Sequence, residues 1–228
     1  MYLTAPQRSL IERIVNTAET GKPDGNYAAI SIYPDGPHDI RQITYGRSQT
    51  TEYGNLRKLV QMYVAAGGTY SAALAKYADQ VGSIPLTDNT DFKKLLKDAG
   101  RLDPVMRTIQ DRFFEQVYFD PAMHWADDNG FTLPLSGLVI YDSYIHSGSI
   151  LWLLRQKFPE NTPGSGGDEK TWIREYTQAR YNWLSSHKRP AVRASKYRAQ
   201  AYLEQIQADN WDLSSVPVAM NGTDVYPA

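Results

Sequence analysis

The chain has 228 residues, 42% of them hydrophobic and 21% charged, with a formal net charge of -1 at neutral pH. That length suits one packed core, or two lobes sharing one, and the composition is that of a globular protein rather than a disordered or membrane chain. Dispersed Lys and Arg with no net positive charge offer no field for a polyanion, and zero cysteines exclude disulfides and thiolate metal sites.

The chain opens on Met1 to Leu10, which carries neither a basic start nor an apolar stretch, so no signal peptide is visible. Thr4 and Gln7 have capping-box spacing, and Leu10, Ile11, Ile14, Val15 and Ala18 form one apolar stripe, which predicts a first helix ending at Gly21. Two β-branched and aromatic runs, Tyr27 to Tyr33 and Ile40 to Tyr45, flank a Pro- and Gly-rich turn and predict a hairpin. From Glu52 onward the period is helical: Leu56, Leu59, Val60 and Tyr63 in one helix, Tyr70 to Ala78 in another, Phe92 to Leu96 in a third. Asp103-Pro104 and Asp120-Pro121 each read as an N-cap before a proline at the first helical position. Leu133 to Ile145 reads as a buried central helix, too interrupted by Pro134, Ser136, Asp142 and Ser143 to span a membrane. Asn161 to Gly167 reads as a mobile loop, and Asp168 to Ser186 and Arg193 to Ala208 as the last long helices.

Several side chains could carry chemistry. Glu19 falls in the last turn of the first helix, where the negative end of the dipole disfavours ionisation and suits a general acid; a frayed surface Glu is the plainer alternative. Asp35 lies in the hairpin turn with Asp39 close by. A hairpin tip across from a helix end can hold two carboxylates about 6.5–9.5 Å apart, the spacing of an inverting glycosidase, although Pro-Asp-Gly is also an ordinary turn. Thr44, on the second strand, could orient a water. Asp142 sits in a segment buried on most faces and needs a cationic partner, with Arg180 the obvious candidate and Arg193 or Arg198 a third member. The four histidines, His38, His124, His146 and His187, have no metal-ligand spacing and read as turn, surface or core residues. No nucleotide, serine-hydrolase or zinc-protease signature occurs, and Asn221-Gly-Thr223 matches a glycosylation sequon.

Taken in order, Asn16-Thr-Ala-Glu19, Tyr45-Gly-Arg-Ser-Gln-Thr-Thr-Glu-Tyr-Gly-Asn-Leu-Arg-Lys-Leu-Val60, Gln110-Asp-Arg-Phe-Phe-Glu-Gln-Val-Tyr-Phe-Asp-Pro121 and Leu138-Val-Ile-Tyr-Asp-Ser-Tyr-Ile-His-Ser-Gly148 resemble the family 46 glycoside hydrolases, chitosanases of the lysozyme-like superfamily. The resemblance implies a mainly α, lysozyme-like two-lobed fold over residues 1–228 as one catalytic domain, with a small hairpin lobe and a larger helical lobe around a cleft. It implies an endo-acting, inverting hydrolase of β-1,4 bonds in chitosan, with Glu19 as acid, Asp35 as base with Asp39 as rival, and Thr44 beside the water. Glu52, Arg47 and Asp39 are expected at the substrate, and Asp142, Arg180 and Arg193 or Arg198 in a buried salt-bridge network. The expected partner is chitosan or a related amino-sugar polysaccharide, with no metal, cofactor, nucleic acid or membrane; a monomer acting outside the cell is expected. The rival functions are a muramidase or chitinase on the same scaffold and a non-catalytic glycan-binding protein.

Overall fold

The computed structural model describes residues 1–47 and 49–228. In chain order the helices are α1 (Ala5–Thr20), α2 (Leu56–Ala65), α3 (Ser71–Ala75), α4 (Thr90–Leu102), α5 (Pro104–Phe114), α6 (Asp120–Asp128), α7 (Pro134–Ser147), α8 (Trp152–Arg155), α9 (Glu169–Ser186), α10 (Pro190–Ala194) and α11 (Tyr197–Gln207). The strands are β1 (Ile30–Tyr33), β2 (Gln42–Tyr45), β3 (Thr50–Thr51), β4 (Val218–Met220) and β5 (Thr223–Val225). The protein is mainly helical with a small antiparallel sheet, as expected. Two compact units divide it, one of Met1–Pro23 with Gln116–Ala228 and one of Asp24–Glu115.

In the first unit α1 starts and stops where its sequence says. The Gln7 amide donates to Thr4 Oγ1 (3.4 Å) and the Thr4 amide to Gln7 Oε1 (2.9 Å), so two helix-end donors are satisfied reciprocally. Gly21 ends the helix at a φ of 71°, open to glycine, with its amide on the Thr17 carbonyl. The central helix is α7, buried at every position from Pro134 to Ser143 and packed against α1, α6, α9 and α11. Such a helix can carry Asp142 only if partners reach it from its neighbours.

Three expectations for this unit are corrected. Asp120 does not cap α6, because a π-helical turn, Glu115–Phe119, precedes it and Phe119 already has helical backbone angles. The glycine-rich segment after Asn161 forms a short 3-10 turn, Pro163–Ser165, anchored by the Gly164 amide on the Asn129 carbonyl at 2.8 Å. The last predicted helix is two, since α10 and α11 are separated at Ser195 and Lys196. The C-terminal β4–β5 hairpin was not anticipated; Asn221 and Gly222 supply its turn at φ 50° and 76°, the pair of positive angles a tight two-residue hairpin needs.

In the second unit β1 pairs antiparallel with β2, Ile32 opposite Ile43, and β2 pairs in turn with the short β3. The sheet is tied to α4 by the Tyr45 hydroxyl on the Leu96 carbonyl at 2.7 Å, and at Gly100 the Tyr27 carbonyl presses where a Cβ would stand. Asp103 caps α5 as expected, accepting from the Val105 amide (2.9 Å), while its other oxygen takes the Tyr63 hydroxyl (2.5 Å) and the Thr69 amide (2.8 Å). One carboxylate thus fixes α2, α3's entry and α5 together.

Candidate active site

Glu19 stands in the last turn of α1 with its side chain 12% exposed. Arg198, on α11, places Nη1 2.5 Å from Glu19 Oε1 and spends its other nitrogens on Asp142 Oδ1, Nη2 at 2.6 Å and Nε at 3.0 Å. Arg180, on α9, approaches the opposite oxygen, with Nη1 2.7 Å from Asp142 Oδ2. Asp142, Arg180 and Arg198 are all buried, so the cluster is two cations and two carboxylates in an interior of low polarisability. The end of α1 is pinned beside it by the Tyr197 hydroxyl on the Ala18 carbonyl at 2.6 Å.

The two carboxyls respond oppositely to this setting. Burial pushes the Glu19 carboxyl above its ordinary value, and the nearby Asp142 charge adds to that, while Arg198 offsets only part. Burial also acts on Asp142, but the Arg198 and Arg180 guanidiniums outweigh it and hold that carboxyl well below the usual range. Two acids sharing one arginine are thereby driven in opposite directions, Glu19 toward holding a proton and Asp142 toward ionisation. The cause at Glu19 is burial more than the helix end from which its proton affinity was expected.

Arg193 is not the third member of the network. Its Nη1 donates to the His187 and Lys188 carbonyls at 2.6 and 2.9 Å, bracing the segment that leads into α10, and the position one helix later, Arg198, reaches Asp142 instead. Sequence reasoning also passed over two members of the cluster. Tyr197 precedes Arg198 directly, and His146 follows Asp142 by four residues, close enough in helical spacing to share its face.

The second unit holds the remaining candidates. Asp35 is exposed in the turn after β1, with Oδ1 accepting from Gln42 Nε2 at 3.0 Å; Gln42 in turn accepts the Tyr53 amide at 3.2 Å. Asp39 is exposed as well, in a left-handed conformation at φ 59° that Asp tolerates better than most residues. Thr44 is 5% exposed, its Oγ1 2.8 Å from Gln49 Oε1, and Ser31 shares that acceptor.

Two residues expected at the substrate are held inside this unit. Glu52 is fully buried, with Oε2 accepting the Ile43 amide at 3.0 Å and Oε1 the Leu86 amide at 2.7 Å, so it splices β2 to the segment before α4. Arg47 is 7% exposed, paired with Asp111 and lying 5.4 Å from the Phe114 ring centroid, while its amide donates to Gln110 Oε1 at 3.0 Å. Both are corrections of the same kind, because a polar residue in a turn-rich segment serves buried backbone donors or an acid on a neighbouring helix before it serves a ligand. Among the described residues no cluster of three or more His, Asp or Glu could hold a metal ion, and no helix is long and apolar enough to cross a membrane.

Comparison with known proteins places this geometry in context. A chitosanase of Bacillus subtilis (strain 168) is 26% identical over 196 residues, covering 80% of this chain and 69% of the relative. The solved complex of a Gynuella sunshinyii chitosanase with chitotetraose superposes with a TM-score of 0.81 at 25% identity, over 99% of this chain and 98% of that one. The native chitosanase from Bacillus subtilis MY002 shares the fold over 100% of both chains, with a TM-score of 0.82 at 22% identity. The family model described as Glycosyl hydrolase family 46 matches residues 13–218, which takes in Glu19, Asp35 and the whole charge network. The chain therefore belongs to glycosyl hydrolase family 46 and is a glycoside hydrolase.

Proposed function

We propose that this hydrolase cleaves internal β-1,4 bonds of chitosan with inversion at the anomeric carbon, and that residues 1–228 act as one catalytic domain of two lobes. Glu19 donates its proton to the glycosidic oxygen as the bond to the anomeric carbon breaks. Asp35 takes a proton from the attacking water, and Thr44 orients that water. The observation that carries this reading is the pairing of Glu19 and Asp142 through the buried Arg198, which leaves one carboxyl raised by burial and its neighbour held low by two guanidiniums. Asp35 suits the base role because it is exposed and reachable by water, and it is tethered by Gln42. The exposed Asp35 and Asp39 suit a polymer of glucosammonium units, and the relatives named chitosanases support that substrate class. A polymer of this size is met outside the cell, and we infer that the enzyme acts there as a monomer.

The test is reducing-end release from chitosan, chitin and peptidoglycan by the wild type, Glu19→Gln and Asp35→Asn. Strong release from chitosan alone, nearly abolished in both variants, is expected. Preference for chitin or peptidoglycan would reassign the substrate, depletion on insoluble chitosan without release would make the protein a glycan binder, and an active Glu19→Gln variant would remove Glu19 from the chemistry.

A further inference from the structure

We propose that His146 is a positioning residue for Glu19, acting through Arg180, Asp142 and Arg198. Its Nδ1 lies 3.2 Å from Arg180 Nη2. A guanidinium only donates hydrogen bonds, so Nδ1 must be the accepting nitrogen and the ring proton sits on Nε2. His146 and Asp142, four residues apart on α7, therefore take different amino groups of Arg180: Nη2 goes to the imidazole, and Nη1 forms an ion pair with Asp142 Oδ2 at 2.7 Å and donates a longer bond to Ser143 Oγ at 3.4 Å. Asp142 Oδ1 is left to Arg198, whose remaining nitrogen meets Glu19.

The consequence concerns which cation Asp142 neutralises. Without an acceptor at position 146, Arg180 Nη2 is a buried donor with no partner and turns to Asp142, the nearest anion. The Asp142 charge is then drawn from Arg198, and Arg198 becomes a less compensated cation beside Glu19, which favours the carboxylate over the acid. His146 thus favours the protonated Glu19 by holding the second amino group of Arg180 off Arg198's counter-ion. Its own charge plays no part at working pH: burial, then Arg198 and Arg180, push the imidazole down to about 3 against the opposing pull of Asp142. The other titratable groups whose interactions reach the cluster are Tyr176 on α9 and Tyr197 and Tyr202 on α11, all raised by burial and neutral over the same range.

The inference rests on Glu19 being the general acid, and the experiment separates the two. The pH dependence of kcat on chitosan is measured for the wild type, His146→Asn, His146→Leu and His146→Met, with thermal melts of each. The asparagine carbonyl can replace Nδ1 as acceptor, so His146→Asn is expected within about threefold of the wild-type kcat and with the same alkaline limb. Leu, and Met with only a weakly accepting sulfur, are expected to move the alkaline limb about one unit to lower pH and so to lower kcat about tenfold on that limb, with KM within about twofold. A folded Leu or Met variant with an unmoved alkaline limb overturns the proposal, whereas an active Glu19→Gln variant overturns the acid assignment on which it stands. If neither apolar variant folds, nitrogen-15 NMR of the wild-type imidazole decides: an unprotonated Nδ1 with Nε2–H through neutral pH supports the proposal, and an Nδ1–H tautomer overturns it.

Discussion

Replacing Asp142 by Asn tests how much of the first unit rests on the buried charge cluster. The carboxylate is 0% exposed and is the shared counter-ion of Arg180 and Arg198, which are 1% and 3% exposed at their side chains. The substitution keeps shape and one acceptor but removes the charge that the two enclosed guanidiniums share. Removing one partner of a buried ion pair costs about 3–5 kcal/mol, which for a chain of this size lowers Tm by about 6–20 °C. The sign with pH is fixed by the depressed folded value of Asp142: its contribution is complete above the ordinary aspartate value of about 3.9 and disappears as pH falls from there toward the folded value. Urea unfolding at pH 7 and at several points below pH 4 should therefore show the variant far less stable at neutrality and the gap closing in acid. A loss under about 1 kcal/mol at pH 7, or a gap independent of pH, would refute the claim that this cluster is a strongly coupled ion network.

Other outcomes follow from the same contacts. Glu19→Gln should lower kcat by about 10²–10⁴-fold or more while the fold survives, read from turnover and circular dichroism together. Because burial raises the Glu19 carboxyl, its contribution to stability is present below the ordinary glutamate value and lost as pH rises through the folded value, so Glu19→Gln should gain stability relative to wild type as pH climbs from acid to neutral; a constant difference would count against it. Glu52→Gln should act on stability more than on KM, costing about 1–3 kcal/mol by leaving one of two amide donors facing an NH₂ group; a selective rise in KM would return Glu52 to the substrate. Gly100→Ala should cost about 1–3 kcal/mol in denaturant unfolding, since the new Cβ meets the rigid backbone carbonyl of Tyr27.

What could be seen in the sequence was whatever local chemistry decides. The Thr4–Gln7 box, the Gly21 stop, the hairpin around Pro34 to Asp39 and the Asp103 cap all depend on residues within a few positions of one another, and each formed as expected. Asp142 was legible for a different reason, because a carboxylate in so apolar a helix demands a cation whatever the fold. Choosing among arginines was not legible, since Arg193 and Arg198 differ only in which helix carries them, and the break between α10 and α11 decided it. His146 escaped because one histidine at helical spacing from an acid has no signature of its own. The β4–β5 hairpin was not legible around Asn221-Gly222, because two strands of three residues each are too short to show an alternating pattern. Glu52 and Arg47 show the limit most plainly: their types suit a glycan, but their partners, Ile43, Leu86 and Asp111, are set by tertiary contacts across the second unit.

The most direct test of the central claim, that Glu19 and Asp35 work as acid and base on one bond with water attacking from the opposite face, is the anomeric proton spectrum recorded during hydrolysis of a glucosamine oligomer. New reducing ends should carry the α configuration first, with the β signal growing only at the rate of mutarotation, and neither signal should grow with Glu19→Gln. A β product formed first by the wild type would mean retention through a covalent intermediate and would contradict the assignment of both carboxylates.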